Sequence, residues 1–324
     1  MRIISAEEVD SALDFPALVN VLRAAFRQGA IQPVRHHHTV ERPGGKPTTL
    51  LLMPAWTDFA AQEHEGNGHI GVKIATVSPD NNAIGKPAVM AQYLLLDGLT
   101  GEPEALIDGQ RLTLWRTAAA SALAADYLAK PDSSRLLVIG AGALAPFLAR
   151  AHAAVRPIRK ITIWNRTRDK AERVASELSA EGFETSATDD IDAALAETDI
   201  VTAATISTVP LVHGASLKPG VHVDLVGAFS PTMRESDDET VRRARVYVDT
   251  RGGALKEAGD IVQAIASGAL TEAAIAGDLF QLTRGEAMGR ENTDEITLFK
   301  SVGAALEDWA AAVHVYAKVG ASAS

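Results

Sequence analysis

Residues 135–167, RLLVIGAGALAPFLARAHAAVRPIRKITIWNRT, constrain the fold of this chain more than any other stretch. Leu136, Leu137, Val138 and Ile139 form an unbroken apolar run between a charge and a glycine, the pattern of a strand buried on both faces of a parallel sheet. Gly140-Ala141-Gly142 follows at once. Residues 143–154 carry no glycine or β-branched residue and read as a helix, with Pro146 tolerable only in its first turn. A second apolar strand at residues 161–164 closes a βαβ unit.

That pattern suits a pyrophosphate. Gly140 and Gly142 let the backbone turn sharply and approach a phosphate closely, and with Ala143 and Leu144 they lead into a helix whose first N–H groups and dipole favour an anion. The third fingerprint position is Ala145, an allowed variant of glycine. A tight strand-to-helix turn in some other α/β domain is the alternative. After the second strand, NAD-binding chains usually place an acid for the ribose 2′-hydroxyl, whereas this chain reads Asn165-Arg166-Thr167-Arg168. Two guanidinium groups and a hydroxyl fit a 2′-phosphate, so NADPH is expected ahead of NADH, unless the arginines simply solvate a helix start.

At 324 residues the chain has room for two domains, and 47% hydrophobic with 22% charged residues is ordinary for a globular protein. A net charge of −10 with no basic block argues against nucleic acid or an anionic membrane surface as partner. Without a cysteine, disulfides, thiolate zinc sites and cysteine nucleophiles are excluded. The segment MRIISAEEVD lacks the apolar core of a signal peptide, and no run reaches membrane-spanning length, so the cytoplasm is the expected location. His36, His37 and His38 in a β-like run point alternately to opposite faces, and no metal site is expected there.

In chain order, a strand at residues 2–4 leads into a helix with capping-box spacing at Ser5 and Glu8. A second helix starts at Phe15 and ends at Gly29. Strands are expected at residues 37–41, 48–56, 69–77 and 88–97, with one more after the turn at 98–101, giving an antiparallel sheet with helices on one side. Residues 111–130 read as an alanine-rich helix, followed by a linker at 131–134. The later half alternates strands and helices as in a doubly wound parallel sheet, with further strands at 199–204, 222–226 and 245–249. Residues 260–288 read as loosely patterned helix, residues 301–316 as a last helix packing back on the first domain, and residues 320–324 as a disordered tail. The expected organisation is a substrate-binding domain at 1–115, completed by residues 301–324, and a doubly wound dinucleotide-binding domain at 116–300.

Three cations sit in apolar settings: Arg35 after Pro33, Lys73 in IGVKI, and Arg116 in LWRTAA. A charge there is costly unless paired, so each asks for an anionic partner. An edge-strand lysine and a helix-face arginine bonded to a neighbour are the alternatives.

Together, LTLWRTAAASALAADYL around Arg116, GVKIATV around Lys73, GAGALA and the closing FKSVGAALED resemble the ornithine cyclodeaminase and mu-crystallin family over nearly the whole chain. The resemblance implies a Rossmann domain and a homodimer whose N-terminal domains join in a shared β-barrel. It implies that Arg35, Lys73 and Arg116 hold a substrate carboxylate, that Lys73 and Arg116 act in catalysis, and that Arg116, Thr117, Thr205, Val226, Gly227 and Ser301 touch the cofactor. Cyclodeaminases of that family place an aspartate where this chain has Phe229, a threonine at Ala88 and a lysine at Met233. Phe229 does not bind a charged amine but can wall a pocket for an uncharged ring. Residues 50–56, 87–103 and 226–238 look most like the bacterial reductases of cyclic imino acids, which reduce Δ1-pyrroline-2-carboxylate to L-proline and Δ1-piperideine-2-carboxylate to L-pipecolate. An alanine-type dehydrogenase, an ornithine cyclodeaminase and an NADPH-gated binding protein like mu-crystallin are the competing readings.

Overall fold

Strand β1 (Arg2–Ile4) ends at Ser5, which caps α1 (Ala6–Ala12): its side chain accepts from the Glu8 N–H, and the Glu8 carboxylate accepts from the Ser5 N–H. Asp14 caps α2 (Phe15–Gln28), and Gly29 ends that helix at φ +90°, where a side chain would be strained. The structure is a computed structural model that describes residues 1–60 and 67–321. Strands β2 (His36–Val40), β3 (Thr48–Trp56), β4 (His69–Val77), β5 (Val89–Asp97) and β6 (Pro103–Asp108) precede α3 (Gly109–Leu128). Strands and helices then alternate through β7 (Arg135–Ile139), α4 (Ala145–Val155), β8 (Lys160–Trp164), α5 (Arg168–Ala180), β9 (Glu184–Thr188), α6 (Ile191–Glu197), β10 (Ile200–Ala203) and β11 (His222–Leu225). The remainder comprises α7 (Asp238–Arg243), β12 (Ala244–Val248), α8 (Arg251–Glu257), α9 (Gly259–Ala266), β13 (Ile275–Asp278), α10 (Leu279–Arg284), β14 (Ile296–Lys300) and α11 (Ala305–Ala321).

The chain forms two compact units, residues 1–116 with the segment from Ala304 onward, and residues 117–303. The division falls inside α3. Residues 131–134, expected as a linker, instead turn α3 into β7 within the second unit.

In the first unit the sheet runs β1-β6-β5-β4-β3-β2, antiparallel from β6 to β2, with β1 added parallel at the edge. Period-two alternation gives it two faces. Met53, Ala55, Lys73, Ala75, Ala91, Tyr93 and Leu95 are buried, and α11 packs against β3, β4 and α2. The opposite face carries Ile74 and Met90, 43% and 40% exposed, along with half-buried Leu50, Leu52, Val72 and Leu94.

The second unit holds an eight-stranded parallel sheet in the order β13-β12-β14-β11-β10-β7-β8-β9. Counted from β7, the run β9-β8-β7-β10-β11 is the 3-2-1-4-5 order of a doubly wound dinucleotide fold. Its core sets Leu137, Ile139, Val201, Ala203, Val223 and Leu225 against the helices of one side. Strands β9, β13 and β14 were not expected. Residues 260–288 are not continuous helix, because β13 divides α9 from α10. The last helix starts at Ala305, after a non-helical segment at 301–304, and runs through Gly320 to Ala321, so Gly320 is helical; residues 322–324 of the expected tail lie outside the described residues. Among the described residues no helix is long and apolar enough to cross a membrane.

Candidate functional site

Lys73 lies on the buried face of β4, opposite Met53 on β3 and Tyr93 on β5. A side chain at Gly71, two residues before it, would place its Cβ 2.0 Å from the Tyr93 hydroxyl, so glycine there makes room for that ring. The partners of Lys73 come from α11, far along the chain. Its Nζ donates to Asp308 Oδ2 at 2.6 Å, and the other oxygen of the same carboxylate accepts from Arg116 Nε at 3.0 Å. Arg116 Nη1 donates to Glu307 Oε2 at 2.7 Å. Side-chain exposure is 4% for Lys73, 7% for Arg116 and 0% for both acids, so this is a charge cluster shielded from water.

Each charge sets the state of the others. Burial lowers the pKa of the Lys73 ammonium, and the Arg116 charge lowers it further against the attraction of Asp308, leaving it at about 8. Burial would raise the pKa of Asp308, but Arg116 and Lys73 outweigh it and hold this carboxyl below its usual range. Burial also works against the charge of Arg116, which Asp308 and Glu307 more than restore. Arg35, half-buried ahead of β2, is near enough that its charge also lowers Lys73. The structure thus brings the three cations named from sequence into one electrostatic neighbourhood. The two acids fix the Nε and Nη1 edges of Arg116, and its Nη2 makes no hydrogen bond among the described residues. A guanidinium edge and an ammonium held this way suit a small carboxylate.

In the second unit, Gly140 ends β7 at φ +106°, and a Cβ on it would lie 2.8 Å from the Ala204 carbonyl oxygen. Space around Gly142 is open, Gly142 and Ala143 are exposed, and Leu144 leads into α4 with no side chain capping its N–H groups. An uncapped helix start behind an open glycine turn fits a pyrophosphate. Asn165 braces the turn, its Oδ1 accepting from the Ala141 N–H at 3.2 Å while its Nδ2 donates to the Thr167 carbonyl at 2.9 Å. Thr167 stands at the start of α5 with its hydroxyl not used as a cap, beside exposed Arg166. Arg168, the first residue of α5, has its guanidinium engaged by Glu172 at 2.8 Å and by Asp189.

Thr205, Val226-Gly227 and Ser301 follow the carboxyl ends of adjacent strands β10, β11 and β14. Thr117, the first residue of this unit, is buried on α3. Phe229, half-buried in the loop after β11, packs against the apolar core. Ser301 Oγ donates to Asp249 Oδ2 at 3.2 Å, and the same oxygen accepts from the N–H groups of Val302 and Gly303 at 2.7 Å each.

Asp308, Glu307, Asp249 and Glu235 were not singled out from sequence. The signal was present for the first pair: two acids inside the apolar run AALEDWAAAV pose the same burial problem as Lys73 and Arg116.

A sequence profile of the ornithine cyclodeaminase/mu-crystallin family matches residues 1–323. A Δ1-pyrroline-2-carboxylate reductase from Colwellia psychrerythraea is 36% identical over 325 residues, spanning 98% of this chain and 99% of its own. The solved structure of Thermococcus litoralis Δ1-pyrroline-2-carboxylate reductase in complex with NADH and L-proline superposes with a TM-score of 0.93 at 33% identity, covering 100% of this chain and 98% of that one. An archaeal alanine dehydrogenase dimer with bound NAD reaches 0.89 at 29% identity, covering 100% and 97%. The chain belongs to the ornithine cyclodeaminase/mu-crystallin family.

Proposed function

We propose that this family member is an NAD(P)H-dependent oxidoreductase that reduces cyclic ketimine acids, Δ1-pyrroline-2-carboxylate to L-proline and Δ1-piperideine-2-carboxylate to L-pipecolate. The observation that carries the reading is the buried set in which Asp308 holds both Lys73 and Arg116. The relative from Colwellia and the proline-bound relative from Thermococcus support the same reaction. Phe229 stands where the resemblance expects the cyclodeaminase carboxylate, and it offers no acceptor to a side-chain amine.

Arg116 and Lys73, with Arg35, bind the substrate carboxylate and orient the ring. The reduced nicotinamide supplies a hydride to the C=N carbon when bound, and the imine nitrogen carries the proton that makes that carbon electrophilic. Lys73, with its pKa near 8, holds or relays that proton at Nζ as a second task. Asp308 and Glu307 keep the two cations in place without touching substrate. Gly140, Gly142, Ala143 and Leu144 cradle the pyrophosphate. Asn165, Arg166, Thr167 and Arg168 face the adenosine ribose, with Arg166 and Thr167 favouring NADPH while NADH remains usable. Thr117, Thr205, Val226, Gly227 and Ser301 serve the rest of the cofactor. The apolar outer face of the first unit's sheet supports a homodimer.

Initial rates of NADPH oxidation with Δ1-pyrroline-2-carboxylate, repeated with NADH and with pyruvate plus ammonia, test the reading. Oxidation with the cyclic imine alone is expected. An absolute need for ammonia would make the protein an alanine-type dehydrogenase, and tight ligand binding without turnover would make it a binding protein.

A further inference from the structure

Glu235 lies between two turns that follow adjacent strands of the parallel sheet, and it is fully buried. Its Oε1 accepts from the Thr205 N–H at 2.6 Å and from the Thr205 hydroxyl at 2.9 Å. Its Oε2 accepts from the N–H groups of Gly227 at 2.7 Å and Ala228 at 3.2 Å. One carboxylate therefore ties the end of β10 to the end of β11. The approach leaves no room for a side chain at Gly227, whose added Cβ would lie 2.1 Å from the Thr205 carbonyl oxygen and 2.4 Å from Glu235 Oε1.

Behind it stands a second buried acid and a buried base. Lys300 Nζ, at the end of β14, lies 3.9 Å from Glu235 Oε2 and 3.3 Å from Asp260 Oδ2. Asp260, in the first turn of α9, accepts through Oδ1 from the Glu235 N–H at 2.9 Å, the Ser236 N–H at 2.8 Å and the Ser236 hydroxyl at 3.0 Å. Two carboxylates thus share one ammonium away from water. Burial, with the neighbouring Asp260 charge, raises the Glu235 pKa to about 7 against the opposing pull of Lys300 and the Thr205 hydrogen bonds.

We propose that Glu235 is a positioning residue for the nicotinamide ring of the cofactor, acting through the Thr205 and Gly227 turns and engaging them fully only as the carboxylate. The assignment to that side follows from strand order: β7 and β8 take the pyrophosphate and adenosine side, so the ends of β10 and β11 fall to the other mononucleotide and its ring. The inference rests on the cofactor reading above. The charged groups facing Glu235 are Lys300 and Asp260. With the proton on, Glu235 loses its charge and one acceptor position, so nicotinamide-side binding weakens as pH falls through about 7.

The test titrates the unsubstituted protein and Glu235→Gln with NADPH and with 2′-phospho-ADP-ribose, which lacks the nicotinamide, at pH 6, 7 and 8. The ratio of the two affinities cancels any titration of the shared 2′-phosphate. In the unsubstituted protein the preference for NADPH should grow by several-fold from pH 6 to pH 8. Glu235→Gln sets an amide NH2 against at least one of the N–H donors that the carboxylate accepts from, so it should weaken NADPH about tenfold, leave 2′-phospho-ADP-ribose unchanged and lose the pH dependence. Equal weakening of both ligands, or a pH-independent ratio in the unsubstituted protein, overturns the proposal. The second result needs no variant and so does not depend on Glu235→Gln folding. Failure of the unsubstituted protein to bind either ligand would instead remove the cofactor reading itself.

Discussion

Asp308→Asn is the substitution that reaches furthest into the site. Asp308 is fully buried and spans Lys73 at 2.6 Å and Arg116 at 3.0 Å, so deleting the side chain would strand two buried cations, at a cost of about 3–5 kcal/mol. Asparagine keeps the shape and one acceptor. Its amide oxygen can serve one cation while its NH2 faces the other, so one charge-assisted hydrogen bond is lost, worth about 1.5–3 kcal/mol. If that bond positions the carboxylate-binding groups for the reaction, kcat/KM for Δ1-pyrroline-2-carboxylate falls roughly 10- to 150-fold. The pH profile should move as well. Asp308 is what holds the Lys73 pKa up against burial and Arg116, so the ammonium is present below about 8 in the unsubstituted protein and is lost above it. In Asp308→Asn the alkaline fall in activity therefore begins at lower pH. The assay is initial-rate NADPH oxidation from pH 6 to 10, with NADPH affinity and the thermal midpoint measured in parallel as controls on folding. A folded variant with unchanged kcat/KM and an unmoved alkaline limb would refute the reasoning.

Lys73→Met removes the same ammonium without adding charge; kcat/KM should fall about 100-fold and the limb near pH 8 should disappear, and unchanged kinetics would take Lys73 out of the site. Arg166→Ser should raise the KM for NADPH about tenfold with little change for NADH, as steady-state comparison of the two cofactors would show; equal effects on both would mean that Arg166 meets no 2′-phosphate.

Local physics made much of the fold readable. The βαβ unit, the Ser5 capping box, the end of α2 at Gly29 and the antiparallel strands all follow from spacings within about ten residues, where apolar period and turn chemistry agree. The misses arise where that agreement breaks. Strand β9, ETSAT, is polar and half-exposed at a sheet edge, and β13, IAGD, is too short to show a period. In the site, buried lone cations were readable as a demand for anions. Their partners were not, since Lys73 meets Asp308 across 235 positions and Arg116 meets Glu307 across 191. Glu235 sits in an ordinary polar stretch, SPTMRESDD, and only the approach of the Thr205 and Gly227 turns shows what it holds.

The central claim is that a hydride from the nicotinamide reaches the ring carbon of a cyclic ketimine acid. The most direct measurement is the mass spectrum and NMR of the product formed from Δ1-pyrroline-2-carboxylate and NADPH carrying deuterium at the transferable C4 position. L-proline deuterated at its α-carbon is the predicted result. Proline without label, or no proline at all from an enzyme that binds both ligands, would contradict the account.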